Sequence, residues 1–249
     1  MPGQSLSEER EEVIENSVGQ PLLLALFLML VAALEWWRVY TGMKPNPTVF
    51  TIAAAIGIGY AGLRIWFAAP KLRALRQGLE GEKAVGQYLE RLRGSGYQVF
   101  HDIVGATFNI DHVIVGPSGV FTIETKTWSK PADGDAQINF DGETVRVGSY
   151  EPERDPVTQA KAQAGWLREL LYESTGRKFE VRPVIVFPGW FVVNSKSSFR
   201  DIWVLEPKAL PPFLANEPLR LPAEDVKLVS FHLSRLIRST ERDRERTKG

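Results

Sequence analysis

Two nearly continuous apolar stretches, Leu22 to Leu34 and Pro47 to Leu63, dominate the front of the chain. Flanking aromatics extend each toward the roughly 20 residues that span a bilayer. Trp36, Trp37 and Tyr40 close the first stretch and Trp66 and Phe67 the second, where an interfacial aromatic belt would set them, and Arg64 can snorkel to the same edge. The short connection RVYTGMKPNP makes the pair a hairpin with both termini on one side. Lys71, Arg73 and Arg76 follow the second stretch, against Arg38 and Lys44 in the loop, so the positive-inside bias puts both termini in the cytoplasm. The expected organisation is an acidic N-terminal tail over 1–20, a transmembrane helical hairpin over 21–70 and a cytoplasmic domain over 71–249. A secretory signal is a competing reading of the first stretch, but its leader SLSEEREEVIE is acidic and no small-residue cleavage site follows. A buried pair of soluble helices is another, since Glu35 interrupts the first run.

After Pro70 the pattern changes. GLEGEKAVGQYLERLRGSGY sets Val85, Leu89 and Leu92 at helical spacing, with Gly94 and Gly96 to end the helix. YQVFHDI, FNIDHVIVG and GVFTIETK read as three strands, the last two joined by Pro117, Ser118 and Gly119. AQINFDGETVRVG reads as a further hairpin turning at Asp141 and Gly142. Asp155 is an N-cap with Pro156 at the first helical position, and Ala160, Ala164, Leu167 and Leu171 form the apolar stripe of a helix reaching about Ser174. VRPVIVFPG is a buried-strand run, DIWVLE a shorter one, and Ala223 to about Arg244 a closing helix with a mixed-charge, frayed tail. Helix, three-stranded antiparallel meander, helix and strand predict a small α/β sandwich.

Composition narrows the chemistry. The 249 residues carry 30 Lys and Arg against 30 Asp and Glu, so no bulk field gathers a polyanion and any such binding is local. The absence of cysteine excludes disulfides, thiolate zinc sites and Cys nucleophiles, and three histidines leave oxygen as the main metal ligand. No P-loop, dinucleotide fingerprint or serine nucleophile elbow is present.

One strand breaks its own pattern, because Glu124 and Lys126 sit two apart in the run HVIVGPSGVFTIETKTW. That spacing puts both side chains on one face with Val120 and Thr122, while Phe121 and Ile123 take the other. An unpaired buried charge is costly, so the two either pair or face something that requires them. Asp111, on the preceding strand of the same hairpin, can come close to Glu124. Two facing carboxylates repel unless a cation lies between them, and oxygen ligands suit Mg²⁺ or Mn²⁺. Such a cation would polarise a phosphate while the lysine orients water, which predicts phosphodiester hydrolysis.

Asp111 followed by Glu124-Thr125-Lys126 resembles the signature of the PD-(D/E)XK nuclease superfamily. The order GLEGE, NIDHVIVGPSGVFTIETK, DPVTQAKAQAGWLRELL and VRPVIVFP is similar to the nuclease-related domain, NERD, over roughly Gly78 to Pro188. The resemblance implies a restriction-endonuclease-like α/β core behind the transmembrane hairpin. It implies that Asp111 and Glu124 hold the metal with the Thr125 carbonyl, that Lys126 serves the water, that the helical acid is Glu82, and that Gln159 lines the site. Ile110 stands where the superfamily signature has proline, a position with no chemical task.

The expected protein is a membrane-anchored, Mg²⁺- or Mn²⁺-dependent nuclease acting on DNA or RNA. The alternatives are a catalytically inactive nucleic-acid-binding module on the same fold and a membrane scaffold that recognises a protein. His112 alternates away from the site and reads as structural. Trp128, Trp166, Trp190 and Trp203 read as core or partner surface, with base stacking open for Trp128. Lys130, Arg146, Arg154 and Lys161 are scattered enough to read as a solvated face.

Overall fold

The structure is a computed structural model and describes residues 2–44, 46–105, 108–130, 136–147, 155–194 and 201–248. The chain forms two compact units, residues 5–79 and residues 1–4 with 80–249.

In the first unit, α1 (Gln4–Ile14) passes through a π-helical turn into α2 (Gln20–Tyr40), and α3 (Pro47–Leu89) follows. The segment expected as an acidic tail is therefore helical, because its glutamates and arginines are good helix formers. α3 runs through Pro70 without a break, although a boundary was expected there. The two apolar helices meet through small residues, with Ala25, Ala32, Ala54 and Ala61 buried. A Cβ on Gly57 would lie 2.6 Å from Leu28 Cδ1, the tip of a flexible side chain that can turn aside. Glu35 does not interrupt the run: it ends the hairpin, accepting from Arg38 at 2.8 Å and from the Asn46 N–H at 3.0 Å. Leu23, Leu26, Phe27, Leu30 and Trp37 are exposed. Both helices are long and apolar enough to cross a membrane.

The second unit is a mixed α/β sandwich. Strands β1 (Gln98–Val104), β2 (Asn109–Gly116) and β3 (Gly119–Thr125) form the antiparallel meander. α4 (Pro156–Thr175) then returns the chain so that β6 (Val181–Val186) lies parallel to β3, and β8 (Trp203–Leu205) adds beyond it, giving the order β1-β2-β3-β6-β8. The Asp155 carboxylate accepts from the Val157 and Thr158 N–H groups, the expected cap, and Gly176 at φ 70° ends α4 in a conformation other residues resist. The remaining helices are α5 (Leu210–Asn216) and α6 (Ala223–Lys248), and α6 continues past the point where fraying was expected.

Alternation along β3 sends Phe121 and Ile123 toward Val85 and Leu89 of α3 and Leu210 and Leu214 of α5. Val120 goes the other way, with Val113 and Val115, onto Ala164, Leu167 and Leu171 of α4 and Val229 and Leu233 of α6. A second sheet, in the order β5-β4-β7, is built from β4 (Gln137–Phe140), β5 (Val145–Arg146) and β7 (Phe191–Asn194). Its inner residues Ile138, Phe140 and Val145 pack with Trp190, Phe187 and the first turns of α4.

Candidate active site

The site assembles where β3 leaves the sheet. The pairing His112↔Ile123, carried one step along the antiparallel ladder, sets Asp111 opposite Glu124. Asp111 Oδ2 accepts the Thr125 N–H at 2.7 Å, closing this end of the hairpin. Glu124 is 4% exposed and projects toward α4. Lys126 Nζ donates to Glu124 Oε1 at 2.7 Å and to Gln159 Oε1 at 2.9 Å, and Gln159 Nε2 donates to the same Glu124 Oε1 at 2.7 Å. The two charges that break the strand pattern are thus an ion pair, made three-membered by an amide from the first turn of α4.

Gln163, one helical turn after Gln159, donates to the other oxygen, Glu124 Oε2, at 2.6 Å, and to the Asn109 carbonyl at 2.9 Å. Sequence reasoning missed it, although its i+4 spacing from Gln159 puts both amides on one helical face.

Glu82 enters from α3 and is 3% exposed. Its Oε1 accepts the Gly3 N–H at 2.6 Å, so the chain's first residues reach the site, a contact no sequence pattern announced. Burial is the main force raising the Glu82 carboxyl from 4.5 to about 7; the Gly3 N–H opposes it, and the negative charges of Asp102 and Glu124 add to it. Asp111 is raised well above the usual carboxylate range, first by burial and then by Glu124 and Glu82, against the Thr125 N–H and Lys126. The helix comes this close because residue 81 is glycine. A Cβ there would lie 2.0 Å from Thr127 Oγ1.

Asp102 sits in β1 at φ 53°, the only non-glycine with positive φ among the described residues. Alternation breaks there: His101 and His112 face α3, while Ile103 and Ile110 turn onto the α4 and α6 side. His112 is fully buried, and burial beside His101 lowers it to about 3, so it is neutral. His101 Nε2 meets Glu90 Oε1 at 2.9 Å and must donate; His101 Nδ1 then accepts from His112 Nδ1 at 2.9 Å. His112 Nε2 is left as an acceptor 3.5 Å from Thr125 Oγ1, so its place is behind the site.

The donor set available to a cation is Asp111, Glu124, backbone carbonyls and, nearby, Glu82. Among the described residues no donor bonds Asp111 Oδ1, and no three Asp, Glu or His side chains converge as a metal cluster. That set fits Mg²⁺, which takes one or two carboxylates and keeps several waters, rather than a cation needing a closed protein cage. Of the scattered basic residues, Arg154 lies outside the described residues. Trp203 and Trp190 are core, and Trp128 packs edge-on against Phe187 at 4.8 Å.

No solved structure matches the chain. A 57-residue stretch is 37% identical to an uncharacterized protein of Bacillus anthracis, covering 21% of this chain and 27% of that protein, so the chain spans about a quarter of that relative's length. Residues 77–188 match the family model of the nuclease-related domain, NERD, and over that stretch the chain is similar to this family.

Proposed function

We propose that the protein is a membrane-anchored, divalent-metal-dependent nuclease that hydrolyses phosphodiester bonds of DNA or RNA. The observation that carries the reading is Asp111 and Glu124 facing each other across β2 and β3, with Lys126 donating to Glu124 and Glu82 near enough to add to the rise of the Asp111 carboxyl. When bound by Asp111, Glu124 and the Thr125 carbonyl, Mg²⁺ or Mn²⁺ would polarise a scissile phosphate and acidify a water. Lys126, held by Glu124 and Gln159, keeps a further N–H for an attacking water or a phosphate oxygen and stabilises charge that develops there. Gln159 and Gln163 fix the Glu124 carboxylate in one orientation. Glu82 holds or releases a proton near neutral pH.

The test uses the full chain in detergent with single- and double-stranded DNA and RNA, in Mg²⁺, Mn²⁺ or EDTA, beside Asp111→Ala and Lys126→Ala. Cleavage that needs metal and disappears in both variants is expected. Wild-type protein that cuts nothing, or variants that cut as wild type does, would reject the reading.

One observation favours a second reading, a non-catalytic nucleic-acid-binding module. Both Glu124 oxygens already have partners in Lys126, Gln159 and Gln163, a self-contained network that needs no metal. Binding of nucleic acid in EDTA with no turnover in any metal would select it.

For the anchor, the outward apolar side chains of α2 and α3 support a hairpin in the bilayer, and Lys71, Arg73 and Arg76 support a cytoplasmic nuclease domain. The chain has no cysteine, so single cysteines at Gly42 and Glu180 report sidedness directly. Labelling of both by a membrane-impermeant maleimide from the same side would overturn the topology.

A further inference from the structure

The sheet β5-β4-β7 has two unlike faces. The inner face is the buried core around Trp190. On the outer face the register sets Gln137 beside Phe191, Asn139 beside Val193, and Arg146 beside Asn139. Phe191 is 71% exposed and Val193 37%. Gln137 Nε2 donates to Asn139 Oδ1 at 2.9 Å, which holds the two amides side by side. The Arg146 side chain is 48% exposed and lies 3.9 Å from Asp141. Asp141 itself is taken up by its turn, accepting from the Glu143 and Thr144 N–H groups.

Two exposed apolar side chains among amides and a guanidinium are too little for a protein docking patch, which buries roughly 800 Å² a side with a hydrophobic centre. They suit a nucleic-acid strand instead. An aromatic face takes a base, amides meet base edges, and a guanidinium meets phosphate or stacks. The occupant is single-stranded, because in a duplex each base face is already covered by its neighbours.

The position of this face is as telling as its chemistry. Val157 and Ala160 of α4 belong to the inner core of the same sheet, and Gln159, between them, reaches Lys126 and Glu124. Trp190 N–H bonds the Phe187 carbonyl at 3.2 Å, and Phe187 packs on Trp128, two residues past Lys126. The sheet is therefore joined by packed side chains and backbone to the end of β3 where the carboxylates meet.

We infer that the outer face of β5-β4-β7 binds a single-stranded nucleic-acid segment beside the proposed phosphodiester site, with Phe191 stacking on a base and Arg146 contacting the backbone. The inference rests on the nuclease reading for the strand's onward path, not for binding itself.

The experiment measures anisotropy of labelled single-stranded and duplex oligonucleotides with the full chain in detergent and EDTA, which reads binding without turnover. Phe191→Ala is expected to raise Kd for single strands about tenfold, Phe191→Trp to restore it, and duplex affinity to change less than about twofold. Unchanged single-strand affinity in Phe191→Ala, an equal loss for duplex, or no single-strand binding by wild type would overturn the proposal. Hydrolysis of bis(p-nitrophenyl) phosphate, which offers no base to stack, is measured alongside in Mg²⁺. Phe191→Ala keeps that activity and Asp111→Ala loses it. If wild type lacks it too, the catalytic reading fails while the binding result still stands.

Discussion

Gln163 Nε2 lies 2.6 Å from Glu124 Oε2, so a buried amide on α4 holds the carboxylate that β3 presents to the site. Gln163→Leu would leave that oxygen buried without a partner. The expected loss is about 1–3 kcal/mol of stability, read from urea unfolding with and without Mg²⁺. Gln163→Glu sets a second carboxylate there and is expected to cost more at pH 8 than at pH 5.

Lys126 has two tasks that separate by measurement. Lys126→Met removes the cation beside the buried Glu124, a change of the kind that costs about 3–5 kcal/mol in a buried pair and less at this partly exposed edge. It is also expected to lower the rate of phosphodiester cleavage by at least about a hundredfold. Cleavage that stays within tenfold of wild type, measured where the variant is fully folded, would remove Lys126 from the chemistry.

Stability of the metal-free protein is expected to fall as pH rises through the neutral range. The Glu82 carboxyl goes from an ordinary 4.5 to about 7 in the fold. Between those values the unfolded chain has released the proton that the folded chain keeps, so the unfolded state binds fewer protons and each rise in pH favours unfolding. The penalty is complete above about 7, roughly 3 kcal/mol, and is absent below 4.5. Asp111 acts in the same direction. Glu82→Gln should flatten the slope in urea midpoints between pH 5 and 8, and saturating Mg²⁺ should reduce it in wild type.

Gly81 is a packing requirement. A methyl group there meets Thr127 Oγ1 at 2.0 Å and its Cβ at 3.0 Å, so rotation of the threonine relieves only part of the clash. Gly81→Ala is expected to destabilise by about 1–3 kcal/mol although alanine is the better helix former. Adding Thr127→Gly should recover most of the loss; a double variant no better than the single would show that the contact is not the cause.

Short-range signals made much of the second unit legible. Period-two alternation placed β1, β2 and β3, Pro117 to Gly119 placed their turn, and Asp155 with Pro156 placed the start of α4 within a residue. β7 escaped because four residues, FVVN, show too little alternation, and the strand exists only by pairing with β4, more than fifty residues earlier. α5 forms from LPPFLAN with its prolines in the first turn, where a missing N–H has no partner to lose.

The candidate site divides in the same way. Asp111, Glu124 and Lys126 could be singled out along the chain because β geometry is periodic and a charge in an apolar strand is conspicuous. Glu82 and Gln159 rested on resemblance alone, since an acid or an amide on a helix is ordinary.

What the amino-acid order determined by itself is therefore the set of local elements, the two apolar helices and the misfit charges on β3, all consequences of backbone period and side-chain burial. What only the tertiary structure decided is who meets whom. Gln163 under Glu124, Gly3 on Glu82, the His101–His112 pair behind Thr125, and the outward face bearing Phe191 arise from contacts between segments far apart in sequence. Their energies depend on distance and desolvation in the folded chain, quantities that no local pattern encodes.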